Sequence, residues 1–313
     1  MNKKLGFAVF FLMLALPLVM VKTASAQTPL ETVFIGADGS VSPATAPIQQ
    51  SGNTYTLTDN LNAAIKILKS NVVLDGAGYT LSGPYNGGQS DIAFIGSGTS
   101  QLPTSTQTYT IGIDLGNKSL EGIVVRNLNI ENFSIGMYMW TKNNTVIGNA
   151  VSNCVIGLLL SGSNETVTDN CLVDNQIGLF FGFNNPGRDT IPPDIFIYRN
   201  TFERNQIQLS GCECKDYNTT EPPHNWDNNG KGNFWSDYNG TDADGDGVGD
   251  TPYTIDVLNQ DRYPLMQSPA SPPTVSPPNT TPQLPVELIV FVAAFAAIAV
   301  VTYVVIRLIR RRR

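Results

Sequence analysis

A glycine that recurs every 21 residues constrains the fold of this chain more than any other feature of its sequence. Gly136, Gly157 and Gly178 lie in three similar stretches, which read LNIENFSIGMYMW, NAVSNCVIGLLLS and CLVDNQIGLFFGF. Short β-branched and aliphatic runs broken by Asn and Gly at this period are typical of a β-solenoid, whose small coils stack to bury a common apolar column. The repeat therefore predicts an all-β fold, a parallel β-helix over residues 61–215.

Asparagines mark the turns of each repeat. They tolerate left-handed backbone angles and can stack in ladders from coil to coil. The three that precede the repeat glycines are Asn132, Asn153 and Asn175. We expect these asparagines to lie at the corners of the coils.

Side chains after each repeat glycine should alternate between the core and the surface. If Met137 and its equivalents Leu158 and Leu179 point inward, then an outward apolar ladder runs through the intervening positions. Its members are Tyr138, Leu159 and Phe180, with Trp140 beside them. Such a ladder indicates either a binding face or a surface that the insertion at 184–194 covers.

The two ends of the chain predict export and anchoring. Residues 1–26 combine lysines, an apolar run and a small-residue cleavage site, which is typical of a secretory signal. Residues 286–306 are apolar enough for a transmembrane helix in a lipid bilayer, and the basic tail 307–313 favours the cytoplasmic side. Residues 267–285, rich in Pro, Ser and Thr, predict an extended stalk. The alternative to a permanent anchor is a cleaved sorting tail.

Charge and histidine content exclude several function classes. Residues 27–286 contain 11 basic and 25 acidic side chains, a balance that repels phosphate backbones and argues against nucleic acid as a partner. The single histidine, His224, excludes a three-histidine zinc site. Its polar neighbours predict an ordinary surface or hydrogen-bonded side chain.

An Asp/Gly-rich segment resembles a calcium loop in its spacing. Carboxylates stand at its first, third, fifth and ninth positions, and a glycine stands at the sixth, where such a loop turns sharply. The predicted ligands are Asp242, Asp244, Asp246, Asp250 and the carbonyl of Val248. Tyr253 replaces the bidentate Glu of an EF-hand, so the site is not an EF-hand, and Asp256 or Asp261 is a candidate to complete it. The alternative is a solvated turn that binds no ion.

Aromatic residues surround this loop. They are Trp226, Phe234, Trp235, Tyr238, Tyr253 and Tyr263. One hypothesis is a platform on which sugar rings stack. The other is a cap over the open end of the solenoid, formed by residues 216–266, because an uncovered end would expose apolar core and strand edges.

Seven sequons suit an exported glycoprotein. The candidate asparagines are Asn117, Asn132, Asn143, Asn164, Asn218, Asn239 and Asn279. An Asn- and Thr-rich repeat also produces such triplets by chance, so we expect only some of them to be occupied.

Four cysteines in an oxidising compartment are disulfide candidates. They are Cys154, Cys171, Cys212 and Cys214, and three pairings are open. A Cys154–Cys171 bridge would close less than one coil, and Cys212 and Cys214 are too close in sequence for an unstrained bridge. Metal binding by all four cysteines is a further alternative.

Two segments resemble NosD-type β-helix proteins of archaea. Residues 34–60, within an N-terminal β segment at 27–60, resemble their opening, and 225–266, with WSDY, DGDGVGDTPY and DRYPLM, resemble their closing module. The resemblance implies a right-handed parallel β-helix and a relation to carbohydrate-binding and sugar-hydrolase β-helices. The family name comes from a periplasmic protein linked to copper-site maturation. The membrane-anchored surface members are the closer likeness.

We therefore expect a cell-surface protein that is non-catalytic, stabilised by Ca²⁺, and either glycan-binding or part of the envelope. The glycan-binding candidates are Tyr138, Trp140, Phe180, Trp226, Trp235 and Tyr238, with a cell-surface or extracellular polysaccharide as the partner. A second hypothesis is a polysaccharide lyase or glycoside hydrolase, but no acid pair stands out and no catalytic residue is named. The acids considered are Asp169, Asp174, Asp189, Asp194 and Glu203. A third hypothesis is copper delivery.

Overall fold

The chain winds into stacked coils whose strands form three parallel sheets. The structure is a computed structural model that describes residues 31–85, 110–182, 194–211, 224–256 and 259–269. All of them belong to one compact unit of the chain. Each coil contributes one strand to each sheet, and strands from successive coils pair in register. The parallel β-helix that the 21-residue repeat predicts is confirmed.

The largest sheet, sheet A, has eight strands and begins each coil. In spatial order they are β2 (Val41–Ser42), β1 (Glu31–Ile35), β5 (Ala63–Ile67), β8 (Ile111–Leu115), β11 (Ile135–Met139), β14 (Ile156–Leu160), β17 (Ile177–Phe181) and β20 (Ile207–Ser210). Only its end pair, β1 with β2, is antiparallel.

Sheets B and C complete the coil with shorter strands. Sheet B contains β3 (Ile48–Ser51), β4 (Thr54–Leu57), β6 (Val73–Asp75), β9 (Val124–Arg126), β12 (Thr145–Ile147), β15 (Thr166–Thr168) and β18 (Phe196–Tyr198). Sheet C contains β7 (Thr80–Ser82), β10 (Asn129–Glu131), β13 (Ala150–Ser152), β16 (Cys171–Val173), β19 (Thr201–Glu203) and β21 (Phe234–Trp235). A separate antiparallel pair joins β22 (Tyr253–Thr254) to β23 (Gln260–Asp261).

The alternation predicted after the repeat glycine is confirmed. Met137, Leu158 and Leu179 are at most 1% exposed and are neighbours in the register of sheet A. Tyr138 and Phe180 point outward and are half-buried. A register shifted by one residue would exchange these two sets, so the buried column fixes how the coils stack.

The repeat glycine is required because the coils approach closely at this position. A Cβ atom added to Gly157 would lie 2.6 Å from the carbonyl oxygen of Gly178, and one added to Gly136 would lie 2.6 Å from that of Gly157. Neither contact is possible without moving backbone. Glycine recurs every 21 residues because the backbone of one coil passes directly over that of the next at this position.

Each corner contains two consecutive residues with different structural roles. The first adopts a left-handed backbone conformation and lies at the outside of the turn; examples are Asn127, Asn132, Asn143, Asn153, Asn164, Asp169, Asp174, Arg199 and Arg204. The residue that follows is buried and continues a column inside the corner. The sequence prediction assigned both roles to the same asparagines, and the structure separates them.

Buried asparagines form a ladder along the corner between sheets B and C. Asn149 donates its backbone and side-chain N–H groups to Oδ1 of Asn170, at 2.9 and 3.1 Å. Asn170 donates likewise to Asn200, and Asn200 to Asn233. At its end, Asn233 donates to Oδ2 of Asp261. The ladder satisfies polar groups that would otherwise be buried without partners.

Most of the predicted export and anchoring signals lie outside the described residues. These are the signal segment 1–26, the membrane span 286–306, the tail 307–313 and all but the first three residues of the stalk 267–285. Within the described part of the chain, no helix is long and apolar enough to cross a membrane.

Candidate binding surface and metal loop

The outward positions of sheet A form one column, which we call the outer column. In register, it runs through Phe34, Lys66, Asp114, Tyr138, Leu159, Phe180 and Ser210. Within the column, Lys66 Nζ donates to Asp114 Oδ2 at 2.7 Å. Successive members of the column are one coil apart, about 4.8 Å.

Tyr138 and Trp140 form an aromatic pair beside this column. Their ring centroids are 6.4 Å apart and their planes are inclined by 34°. Lys118 Nζ lies 6.0 Å from the centre of the Trp140 ring. Burial, together with the nearby charge of Asp114, raises the pKa of Tyr138 to about 12, so its hydroxyl keeps its proton at neutral pH. The pair offers ring faces and a hydroxyl donor on the same wall.

An apolar cluster lies next to the pair on the outside of the helix. Its buried members are Ile135, Val155, Ile156 and Leu159. Tyr85 packs against it from the end of a neighbouring segment. The insertion at 184–194, which we considered as a cover for this wall, lies almost entirely outside the described residues.

Three of the predicted calcium ligands converge. One carboxylate oxygen each of Asp242, Asp244 and Asp246 lies within 4.8 Å of the others. Asp242 also accepts hydrogen bonds from the backbone N–H groups of Gly245, Asp246 and Gly247, which curl the loop around it. This hard oxygen donor set suits Ca²⁺ or Mg²⁺ in type.

Among the remaining predicted ligands, the carboxylate of Asp250 has other partners, and Val248 contacts the loop through its N–H. Asp250 Oδ2 accepts from Thr241 Oγ1 and from the backbone N–H of Ala243. The backbone N–H of Val248 donates to Asp246 Oδ1 at 2.8 Å. These contacts hold the loop closed, and they place Asp250 apart from the carboxylate group of three.

Asp261 is not positioned to complete a metal shell, contrary to our expectation. Its carboxylate is fully buried and accepts from Asn233, Trp235 Nε1 and the backbone N–H of Tyr263. Burial raises its pKa to about 6. The other candidate, Asp256, accepts from Asn259 instead. Asp261 is the last member of the corner ladder, a role that its sequence neighbours do not reveal.

Trp226 and Trp235 are each 1% exposed, which favours the cap hypothesis over a sugar-stacking platform at these two positions. Trp235 lies parallel to Phe202, with centroids 4.3 Å apart, and Tyr253 lies parallel to Trp235 at 4.4 Å. The three rings continue the inner core beyond the last complete coil. A sugar ring cannot reach them without unfolding this segment.

Tyr238, another predicted glycan contact, is half-buried and held from both sides. Its hydroxyl donates to the backbone oxygen of Thr251 at 2.7 Å. A Cβ added to Gly240 or Gly249 would collide with its ring. Its position therefore supports packing more than ligand contact.

The disulfide between Cys154 and Cys171 that we considered is not formed, since both are free thiols. Cys154 occupies a buried corner and Cys171 lies in β16 of sheet C. Burial raises the pKa of each to about 12, so both remain protonated and unreactive. Cys212 and Cys214 lie outside the described residues.

Five of the seven sequon asparagines lie in the described part of the chain. Asn117, Asn143, Asn164 and Asn239 are exposed, whereas Asn132 is half-buried. Asn164 Nδ2 donates to Asn143 Oδ1 at 2.6 Å, so these two stack at successive corners. Asn218 and Asn279 lie outside the described residues. Whether any of them carries a glycan stays a prediction.

His224 differs from its predicted surface position. It is 7% exposed and lies parallel to Phe181, with ring centroids 4.7 Å apart. Neither ring nitrogen has a hydrogen-bond partner among the described residues. Burial lowers its pKa to about 4, so the ring is neutral near pH 7. The polar sequence around it concealed a histidine that packs as an aromatic ring.

Three of the five acids considered for catalysis, Asp169, Asp174 and Glu203, are held in ion pairs at the corners. Arg199 Nε donates to Asp169 at 2.7 Å, and Arg204 donates to both oxygens of Asp174 at 2.8 Å. Arg204 also contacts Glu203. Each pair joins one coil to the next, which is a structural use of these charges. Asp189 lies outside the described residues.

Comparison with known protein families identifies the family of this chain. Residues 49–240 match the family described as "Periplasmic copper-binding protein (NosD)". A comparison with curated proteins found no match. The matched range covers more than half of the chain and includes the stacked coils of all three sheets. The chain belongs to the NosD family of parallel β-helix proteins.

Proposed function

We propose that this protein is an exported, non-catalytic surface protein whose β-helix binds polysaccharide on the outer face of sheet A. The observation that carries the proposal is the Tyr138–Trp140 pair beside the Lys66–Asp114 ion pair. Aromatic ring faces pack against the apolar faces of sugars, while the charged pair and the Tyr138 hydroxyl offer hydrogen bonds to sugar hydroxyls. The ion pair and the aromatic pair lie on successive coils, so a polymer that runs along the stack could contact both.

The assignment as a binding protein rests on how the carboxylates near the wall are used. Asp114 is paired with Lys66, and Asp174 is paired with Arg204. Hydrolysis of a glycosidic bond needs one carboxyl group that gives up a proton and a second that acts as base or nucleophile. The carboxylates of Asp114 and Asp174 instead join neighbouring coils through their ion pairs, which is a structural use of these side chains.

Location at the cell surface is part of the same proposal. The family description names a periplasmic protein, which supports export. The sequence of residues 1–26 supports a signal segment, and that of 286–306 supports a membrane anchor. With the stalk at 267–285, this arrangement would hold the β-helix away from the bilayer, where extracellular polysaccharide is accessible.

A glycan array probed with the full-length protein tests the binding proposal. We expect bound glycans whose signal falls at least about tenfold for Tyr138→Ala combined with Trp140→Ala, because both ring faces are lost. Tyr263→Ala is the matched control, since Tyr263 is 40% exposed and lies in the C-terminal segment. An array without any bound glycan would show that the protein does not act by binding polysaccharide.

We also propose that Ca²⁺ binds the loop of Asp242, Asp244 and Asp246 and stabilises residues 224–269 as a cap on the helix. The converging carboxylates support the ion site. The stack of Phe202, Trp235 and Tyr253 supports the cap, because it covers the apolar column where the coils stop.

Thermal unfolding with Ca²⁺ and with chelator tests this second proposal. An ion at about 100 times its Kd adds about 2.7 kcal/mol to the stability of the folded state. We expect Tm to rise with Ca²⁺ in the natural protein and not in Asp244→Asn combined with Asp246→Asn. Asp59→Asn, an exposed acid at the other end of the molecule, is the control. Equal Tm values with Ca²⁺ and with chelator would show that the loop is a polar turn that binds no Ca²⁺.

Copper chemistry does not fit the residues that the structure describes. Their soft ligands lie apart: Cys154 in a corner, Cys171 in sheet C and His224 against Phe181. Within the described ranges, the one group of three potential ligands consists of carboxylates, which suit hard cations. We therefore assign no copper-dependent step to these residues.

A further inference from the structure

A groove of about 430 Å³ runs along the corner between sheets C and A. Its floor follows the left-handed corner residues of successive coils, and the Tyr85 side chain forms one wall. The residues that matter for the argument are Tyr85, Asn132, Asn153, Asp174, Gln176 and Arg204. From the coil of Asn132 to that of Arg204 the groove spans three coil spacings, about 14 Å. It is therefore elongated along the axis of the stack.

Gln176 is incompletely bonded inside this groove. Its Nε2 donates to the Tyr85 hydroxyl at 2.7 Å. Its Oε1 is buried and has no hydrogen-bond partner in the described structure. Gln176 is therefore a side chain of the groove lining whose hydrogen bonding is incomplete within the described structure.

The charges in the groove are already neutralised. Arg204 donates to both carboxylate oxygens of Asp174 and also contacts Glu203, so one cation faces two anions. An acidic sugar would meet an arginine that carboxylates already occupy. The other lining groups are the thiol of Cys154, several amides and a phenol. The amides and the phenol can both donate and accept hydrogen bonds. This chemistry favours an uncharged ligand rich in hydroxyl groups.

We propose that the groove binds a short stretch of a neutral polysaccharide, with Gln176, Tyr85 and the Arg204–Asp174 pair as the polar contacts. The inference rests on the proposed function, since it names the sugar class that the same protein recognises. The site differs from the Tyr138–Trp140 pair, which lies on the face of sheet A and supplies ring faces. A polymer that bound both would cross from the corner onto the sheet.

Titration calorimetry on the full-length protein tests the groove. The neutral probes are maltohexaose, cellohexaose and mannohexaose, and the acidic probe is an oligogalacturonate of the same length. We expect at least one neutral probe to bind and the acidic probe to bind at least about tenfold more weakly. Gln176→Met keeps the length of the side chain but removes its hydrogen bonds, and we expect it to weaken neutral binding about tenfold.

Arg204→Met is the second variant and Arg199→Met is its matched control. Arg199 pairs with Asp169 at the neighbouring corner, with the same backbone conformation, but it does not line the groove. Arg199→Met removes the ion pair with Asp169, whereas Arg204→Met removes those with Asp174 and Glu203. The Tm of each variant is therefore measured beside binding, so that a loss of stability is recognised. We expect only Arg204→Met to weaken binding of the neutral probe.

Two outcomes overturn the groove while leaving polysaccharide binding intact. One is binding that depends on Tyr138 and Trp140 but is unchanged in Gln176→Met and Arg204→Met. The other is preferential binding of the acidic probe. Absence of binding to all four probes, together with an array that shows no bound glycan, would overturn both the groove and the proposed function.

Discussion

At the scale of single residues, the corners depend on buried asparagines rather than on the turn residues beside them. Asn200 is fully buried, accepts from Asn170 and donates to Val167, Tyr198 and Asn233. A residue that joins three coils in this way cannot be replaced by an apolar one without leaving partners unsatisfied.

Replacing Asn200 by Leu should therefore destabilise the protein by about 3 kcal/mol, because the N–H groups of Asn170 and the carbonyl of Val167 lose their partners. Urea denaturation monitored by Trp fluorescence measures this change. Asn239→Ala, at an exposed position, should change the free energy of unfolding by less than about 0.5 kcal/mol. Equal effects at the two sites would mean that the ladder adds nothing to stability.

A buried carboxyl group makes stability depend on pH. Burial raises the pKa of Glu165 from its ordinary value of 4.5 to about 8. Between these values the unfolded chain has lost the proton that the folded chain keeps. Stability is therefore fully present below pH 4.5, falls as pH rises towards 8, and is constant above that. The slope is at most about 1.4 kcal/mol per pH unit.

Glu165→Gln should remove this slope. The free energy of unfolding should be measured between pH 7 and 8, where His224, with its pKa lowered to about 4, is neutral in the folded state and mostly neutral when unfolded. Glu121→Gln, at the exposed corner two coils away, should keep the natural dependence. If Glu165→Gln and the natural protein lose stability in parallel, the carboxyl is not protonated in the folded state.

At the scale of the strand and coil, the repeat glycine permits the close stacking of sheet A. Gly157→Ala places a Cβ against the backbone of the next coil, which cannot yield as a side-chain end would. Gly52 is the comparison, because it has a φ of +60° but nothing within 4 Å of an added Cβ. Gly52→Ala suffers only conformational strain, of about 1–2 kcal/mol.

We expect Gly157→Ala to lower Tm more than Gly52→Ala does. The additional loss in free energy of unfolding should be about 1–3 kcal/mol, because the new Cβ forces two coils apart. Differential scanning calorimetry of the two variants gives the comparison directly. A larger loss of Tm in Gly52→Ala would show that the close approach of the coils at Gly157 does not require glycine. The 21-residue glycine period made this element predictable, because the physical contact repeats with the sequence.

The aromatic residues near the calcium loop were harder to predict. Trp226, Trp235 and Tyr238 occur in a polar segment rich in Asn, Asp and Gly, which indicates surface. Trp226 contacts Phe181 and Trp235 contacts Phe202, both far earlier in the chain, whereas Tyr238 contacts Tyr253. The same holds for the Tyr85–Gln176 contact, which joins residues 91 positions apart. Local pattern identifies a coil but not which distant side chains meet at its corners or its end.

At the scale of the whole molecule, the ladders connect the central coils, and we expect these coils to unfold as one cooperative unit. Cys154 and Cys171 lie in adjacent coils, and both thiols are buried with a pKa of about 12. Iodoacetamide should leave both unlabelled in the folded protein at pH 8. As urea is added, peptides containing either cysteine should become alkylated at the same rate, as read by mass spectrometry.

The Asn200→Leu variant serves as the control for this experiment, since it removes one ladder contact. In that variant we expect both rates to rise together. Alkylation of Cys171 well before Cys154 in the natural protein would mean that coils open independently, as in repeat proteins whose interfaces are weak.

The agreement of register between coils of different length has a consequence for how such molecules change over generations. Ile156 pairs with Ile177 after 21 residues, whereas Ile177 pairs with Ile207 after 30, and the strands still match. A duplicated coil would meet its parent with the same neighbours that each coil already has. Duplication or deletion of whole coils in the gene can therefore lengthen or shorten the stack, and insertions can add residues at its corners. In each case the segments at the two ends of the stack and the outer face of sheet A are retained.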